Sequence, residues 1–234
     1  MKTFKAFSLL LSYPSTELQS AMPDIMEVLR VEGLISPQRQ LDIGRLADEL
    51  ASGDIFDLQE RYVLLFDRSR TLSLNLFEHI HGESRDRGGA MVDLLEMYRA
   101  GGYDLDGSEL PDHLPVLLEY LSTRPLAEAQ EVLADAGHIL IALQERLARR
   151  ETSYMAVLDA LVSIAAADPA TEEAQALLAE EDHDPEDLEA LDAVWEEAQV
   201  TFGPDPNAGC PVSRDLLARM DPAAPARPAA RITS

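Results

Sequence analysis

Apolar side chains recur along this chain mostly at spacings of three and four, and strand-like alternation is scarce. The pattern predicts an all-α protein of about eight to ten helices. The opening "TFKAFSLLLSY" reads as a short apolar helix stopped by Pro14, because a proline disfavours helical backbone at the residue before it. "STELQSAMPDIMEVLRVEG" follows, with a kink or break expected near Pro23. In "SPQRQLDIGRLADELASG" Ser36 is placed to cap a helix whose first residue is Pro37 and which Gly53 closes. "DIFDLQERYVLLFD" begins at Asp54 in the same way. "SRDRGGAMVDLLEMYRAGG" should end at Gly101 and Gly102, and "LPDHLPVLLEYLS" comes next. "PLAEAQEVLADAGHILIALQERLARR" reads as one long helix with Arg146, Arg149 and Arg150 at its C-terminal end, opposing the helix dipole. "SYMAVLDALVSIAA" is nearly all apolar, hence central.

The periodic pattern fades after residue 167. Residues 168–197 hold thirteen Asp or Glu and no Lys or Arg, the composition of a mobile segment or of a solvated helix anchored by Leu188, Leu191 and Trp195. From Gly203 proline, alanine and polar residues dominate. The expected organisation is one compact helical domain over 1–167, an acidic and partly helical segment over 168–202, and a disordered tail over 203–234.

The 234 residues carry a formal charge of −24, with 19 Lys and Arg against 43 Asp and Glu. That balance repels phosphate backbones and anionic lipid, so nucleic acid and membrane surfaces are poor partners and a basic partner is favoured; solubility alone also explains an acidic surface. The single cysteine, Cys210, forms no internal disulfide, and no apolar run approaches a membrane span, so a cytoplasmic protein is expected.

Chemistry concentrates in "NLFEHIHGESRDRG", residues 75–88. His79, His81 and Glu83 suggest metal ligands, yet residues two apart on a helix diverge, and no nearby fourth ligand or HExxH or CxxC spacing accompanies them. His138 stands on the apolar face of its helix and reads as a core histidine. A surface reading has Ser84 capping the next helix while Glu83 and Asp86 exchange ion pairs with Arg85 and Arg87. The same polar side chains could clamp a polypeptide or a phosphate-bearing cofactor. Tyr62, Leu65 and Phe66 stand at i, i+3 and i+4, one helical face that suits either core packing or the floor of a groove. Asp112 either caps a helix or takes a basic side chain from a ligand, with the His113 imidazole beside it.

Two motifs carry a resemblance to a known family. "ERYVLLF", residues 60–66, resembles the Glu, Tyr, Leu-Phe motif of the twin-arginine redox enzyme maturation chaperones, the TorD and DmsD family. "PDHLPVLLEYL", residues 111–121, resembles that family's Asp-His motif. Between them "LFDRSRTLSLNLFEHIHGESRDRGGAMVDL" is similar to the NarJ-type molybdenum cofactor assembly chaperones of nitrate reductase; the likeness spans roughly residues 1–165. It implies an all-helical chaperone, with no catalytic residues, resident metal or cofactor of its own. Such a chaperone binds the N-terminal segment of the respiratory nitrate reductase catalytic (alpha) subunit and keeps the apo form open to molybdenum cofactor insertion before membrane docking. Carried over residue by residue, it implies that Tyr62, Leu65, Phe66, Asp112 and His113 bind the peptide. Glu60, His79, His81, Glu83, Arg85, Asp86 and Arg87 stand as further contacts to client or cofactor. Two alternatives stay open: a metal-dependent hydrolase using His79, His81 and Glu83, with Asp112 and His113 in support, and an acidic adaptor that holds another basic partner through residues 168–197. Monomer and dimer are equally compatible with the sequence.

Overall fold

The computed structural model describes residues 1–81, 85–105, 109–180 and 182; the side chains of His81, Arg85 and Asp86 lie outside that description, as do Glu83 and the expected tail. Among the described residues there is no strand, only an isolated bridge between Asn75 and His113. The helices are α1 (Lys2–Leu10), α2 (Thr16–Glu32), α3 (Pro37–Ser52) and α4 (Ile55–Tyr62). A π-helical turn (Val63–Asp67) and a 3₁₀ turn (Arg70–Leu72) follow. Then come α5 (Glu78–His81), α6 (Arg85–Ala100), α7 (Leu114–Ser122), α8 (Leu126–Asp135), α9 (Gly137–Arg149), α10 (Met155–Ala165) and α11 (Glu172–Ala179).

Local chemistry sets most boundaries. Ser15, Ser36 and Asp54 accept backbone amides of the first turns of α2, α3 and α4, and Pro37 opens α3. Pro23 does not break α2, which runs through it unbroken to Gly33, a left-handed C-cap. The expected long helix over 125–150 is two helices, parted at Ala136. A Cβ on Gly137 would meet the Cβ of Ala167 at 2.8 Å, so only glycine lets α9 start this close to the chain leaving α10.

α1 packs against α7 and α2, α2 against α3, and α10 against α9, α3 and α8. Phe4, Phe7 and Leu10 of α1 are fully buried, as are Leu140, Leu143 and Leu147 of α9 and Val157, Leu158 and Leu161 of α10. Each such side chain contributes about 1.5–3 kcal/mol when removed from water. α10 is central, as its apolar sequence requires.

The packed body runs beyond residue 167. α11 lies along α9, burying Ala174 and Leu177. Arg146, 1% exposed, donates to the carbonyls of Thr71 (2.9 Å) and Leu177 (2.7 Å) and reaches Glu180 at 3.4 Å. Arg146 is thus no solvated cation at a helix end but a brace between α9, α11 and the 3₁₀ turn. Arg150 adds a two-pronged pair with Asp182, 2.9 Å on each arm, and Thr71 donates to the same carboxylate.

Candidate functional site

The end of α1, the π-helical turn and the start of α7 meet around a cleft of about 540 Å³. Ser8 and Ser12, one helical turn apart, give one wall room; Tyr13 and Tyr62 supply an aromatic corner, with rings 5.5 Å apart and edge to face. Asp67, Glu109, His113, Val116 and Glu119 complete the lining. Tyr13 is 51% exposed and also borders a smaller hollow of about 310 Å³, lined by Gln59, Glu60, Val63, Leu64 and Arg68. Two depressions therefore flank one aromatic ridge.

The π-helical turn explains which motif residues reach the cleft. The amide of Arg68 bonds the carbonyl of Val63, five residues back, which widens the helix and rotates the side chains that follow. Tyr62 stays at the cleft floor, its hydroxyl donating to the Leu11 carbonyl at 2.9 Å. Burial pushes that hydroxyl's pKa well up, so it acts as a neutral strut. Leu65 and Phe66 lie within the core instead, Phe66 edge-on to Tyr154 with ring centres 5.1 Å apart. They support the floor and do not line it.

Asp112 is placed otherwise than its expected peptide-facing role requires. Its side chain is fully buried; Oδ2 accepts the Phe77 amide at 3.1 Å and lies 3.8 Å from Arg87, which also pairs with Glu78 at 3.1 Å. Nor does it cap α7, whose N-cap is His113 with no side-chain bond. Burial raises its pKa, with the Phe77 amide and Arg87 opposing. With the main-chain bonds Leu76 to Asp112 and Leu114 to Leu74, this network fastens segment 74–78 to α7. His113 turns to the cleft, its Nδ1 3.6 Å from Glu109; burial lowers its pKa against the pull of Glu109, Asp112 and Asp67. Burial raises that of Asp67, with the His113 charge opposing.

The remaining predicted residues scatter. Glu60 is exposed beside the smaller hollow. His79 spends Nε2 on the Ser73 carbonyl at 2.8 Å, and burial lowers its pKa. Arg87 belongs to the Asp112 network. No three metal-ligating side chains converge among the described residues, and His79 is already engaged.

Sequence reading missed Tyr13, Asp67, Glu109 and Glu119. Asp67 directly follows the first motif, and Glu119 falls within the second, so position relative to the motifs was the usable signal. Tyr13, just before Pro14, offered none.

The family model described as nitrate reductase delta subunit matches residues 33–160. The nitrate reductase molybdenum cofactor assembly chaperone NarJ of Escherichia coli K12 is 42% identical over 202 residues, 86% of this chain and 85% of that protein. NarW of the same strain, a relative assigned the same type of role, is 39% identical over 210 residues, 90% of this chain and 87% of its own length. A crystal structure of a protein assigned to redox enzyme maturation in Archaeoglobus fulgidus shares the fold, with a TM-score of 0.51 at 24% identity over 70% of this chain and 92% of that one. By motif, helical architecture and both sequence matches, the chain belongs to the nitrate reductase delta subunit family, alongside molybdenum cofactor assembly chaperones of nitrate reductase.

Proposed function

We propose that this chain is a molecular chaperone of nitrate reductase assembly, and that the cleft at Tyr13, Tyr62 and His113 receives the N-terminal segment of the catalytic subunit. It is a binding protein and not an enzyme, as its family relatives are chaperones. The observation that carries the peptide reading is the lining of the cleft: an aromatic corner and Val116 for an apolar side chain, flanked by Asp67 and Glu109, with Glu119 on the rim already paired to Lys5. A volume of about 540 Å³ takes one or two side chains of an amphipathic helix, while Asp67 and Glu109 hold basic residues beside them. Holding the apo subunit this way, in the cytoplasm, keeps it open to molybdenum cofactor insertion and delays membrane docking. No described helix is long and apolar enough to cross a membrane. The hydrolase alternative finds no support in the relatives, and the adaptor alternative rests on residues that lie mostly outside the described ones.

Calorimetric titration of a synthetic N-terminal peptide of the catalytic subunit tests the assignment. Tyr13→Ala, a change at an exposed ring, should weaken binding about tenfold or more while the thermal midpoint stays put. Equal affinity for both proteins would remove the cleft from the reading.

A further inference from the structure

We propose that the smaller hollow beside the cleft is a second subsite for the same client segment, and that Arg68 there selects a carboxylate and so fixes which way the segment lies. This rests on the cleft reading above. Tyr13 is a wall of both hollows, so a chain seated in the cleft has only one half-exposed ring to pass to reach the second.

The π-helical turn builds the pair of subsites. Tyr62 and Asp67 line the cleft, whereas their immediate neighbours Val63 and Arg68 line the smaller hollow, and the Arg68 amide closes on the Val63 carbonyl at 3.1 Å. Hydrogen bonding over five residues thus gives one turn two working faces, each with a bulky and a charged side chain. Val63 and Leu64, both half-buried, make the smaller hollow apolar enough to take a side chain of its own.

The two faces differ in charge. The cleft presents Asp67 and Glu109, Glu119 being paired to Lys5. Among the described residues that line the two hollows, Arg68 is the one side chain with a fixed positive charge, and no described carboxylate pairs with it. Glu60, the acid of the smaller hollow, stands about two helical turns earlier, on the order of 10 Å away, and leaves the guanidinium open. An amphipathic helix with one apolar side chain in each hollow therefore sets its basic residues over Asp67 and Glu109 and a carboxylate at Arg68. The reversed helix brings like charges together at both places. A cation that merely offset Asp67 would act with the opposite sign: in a chain of charge −24, removing it would tighten the hold on a basic segment.

Calorimetric titration of the catalytic subunit's N-terminal peptide into full-length Arg68→Glu protein reads that sign. Arg68 is exposed, so the thermal midpoint should stay at the wild-type value. Affinity should fall about three- to tenfold at low salt and return towards wild type with a peptide in which one Asp or Glu is replaced by Lys. Wild-type protein should bind that peptide more weakly than the native one. These differences should shrink at about 0.5 M salt, where the screening length is only a few ångströms. A benzophenone photoprobe at position 63 should cross-link to the peptide within about two turns of that acidic residue, and one at position 116 to the basic residues. Unchanged or tighter binding by Arg68→Glu, a loss that no charge-reversed peptide restores, or cross-links from position 116 with none from 63 would overturn the second subsite and leave the cleft standing. Absence of cross-links from both positions would remove cleft and subsite together.

Discussion

Asp112 and His113 are adjacent in sequence and face opposite ways. The Asp112 carboxylate points into the protein and bonds the Phe77 amide, whereas the His113 imidazole opens on the cleft. One of the pair builds the site and the other borders it. Asp112→Ala should therefore act on stability, costing about 1–3 kcal/mol as Arg87 and the Phe77 amide lose a buried acceptor. His113→Ala should leave the denaturation midpoint nearly unchanged and weaken peptide binding. Urea titration of both variants checks the split; a stable Asp112→Ala protein with poor binding would return that carboxylate to the groove.

The same division runs through the first motif. Phe66→Ala removes a ring packed on Tyr154 and should cost about 3–5 kcal/mol. Tyr62→Phe removes only the bond to the Leu11 carbonyl, about 1 kcal/mol, and leaves the cleft floor in place. Calorimetry should show the Tyr62→Phe protein binding peptide as the wild type does.

Acid should destabilise the protein below about pH 6.5 through its buried histidines. Burial lowers the folded-state pKa of His79 below its ordinary 6.5. As pH falls through that value the unfolded chain takes up a proton that the folded chain refuses, so stability is full above 6.5 and is lost down towards the folded pKa. The slope from one such group is at most ~1.4 kcal/mol per pH unit. His79→Gln removes its share and leaves that of His113, whose pKa burial also lowers. Denaturant midpoints from pH 5 to 7 should show a shallower slope for the variant; an unchanged slope would mean that His79 titrates alike in both states.

The helices and the centrality of α10 are legible because burial and periodicity coincide: "SYMAVLDALVSIAA" is nearly all apolar, and seven of the eleven residues of α10 are buried. What sequence spacing could not show was depth. The i, i+3, i+4 stripe of Tyr62, Leu65 and Phe66 assumes 3.6 residues per turn, and the π-helical turn at Val63–Asp67 breaks that assumption. Asp112 and His113 stand together in the Asp-His motif, but a shared motif does not give neighbours a shared environment. The main-chain bonds of Leu76 and Leu114 to the facing segment direct the two side chains apart. From sequence Arg146 reads as a cation opposing the helix dipole, since nothing local reveals that its partners come from residues 71, 177 and 180.

Arg146 also sets where the folded unit can be cut. A chain ending at residue 167 loses α11, and with it the burial of Leu177 and the Leu177 and Glu180 partners of Arg146. Burial of one leucine and a hydrogen bond to a charged group together are worth on the order of 3 kcal/mol, and the 3₁₀ turn loses its brace besides. A chain ending at 182 keeps Arg146 and the Asp182 clamp whole. Urea denaturation should therefore place the 1–182 protein close to the full chain and the 1–167 protein well below both. The loss should be largely reproduced by Arg146→Ala in the full chain, because both changes undo one junction. If the 1–167 protein matched the full chain in midpoint, α11 would be a passenger on α9 and the acidic region would begin, as its composition first suggested, at residue 168.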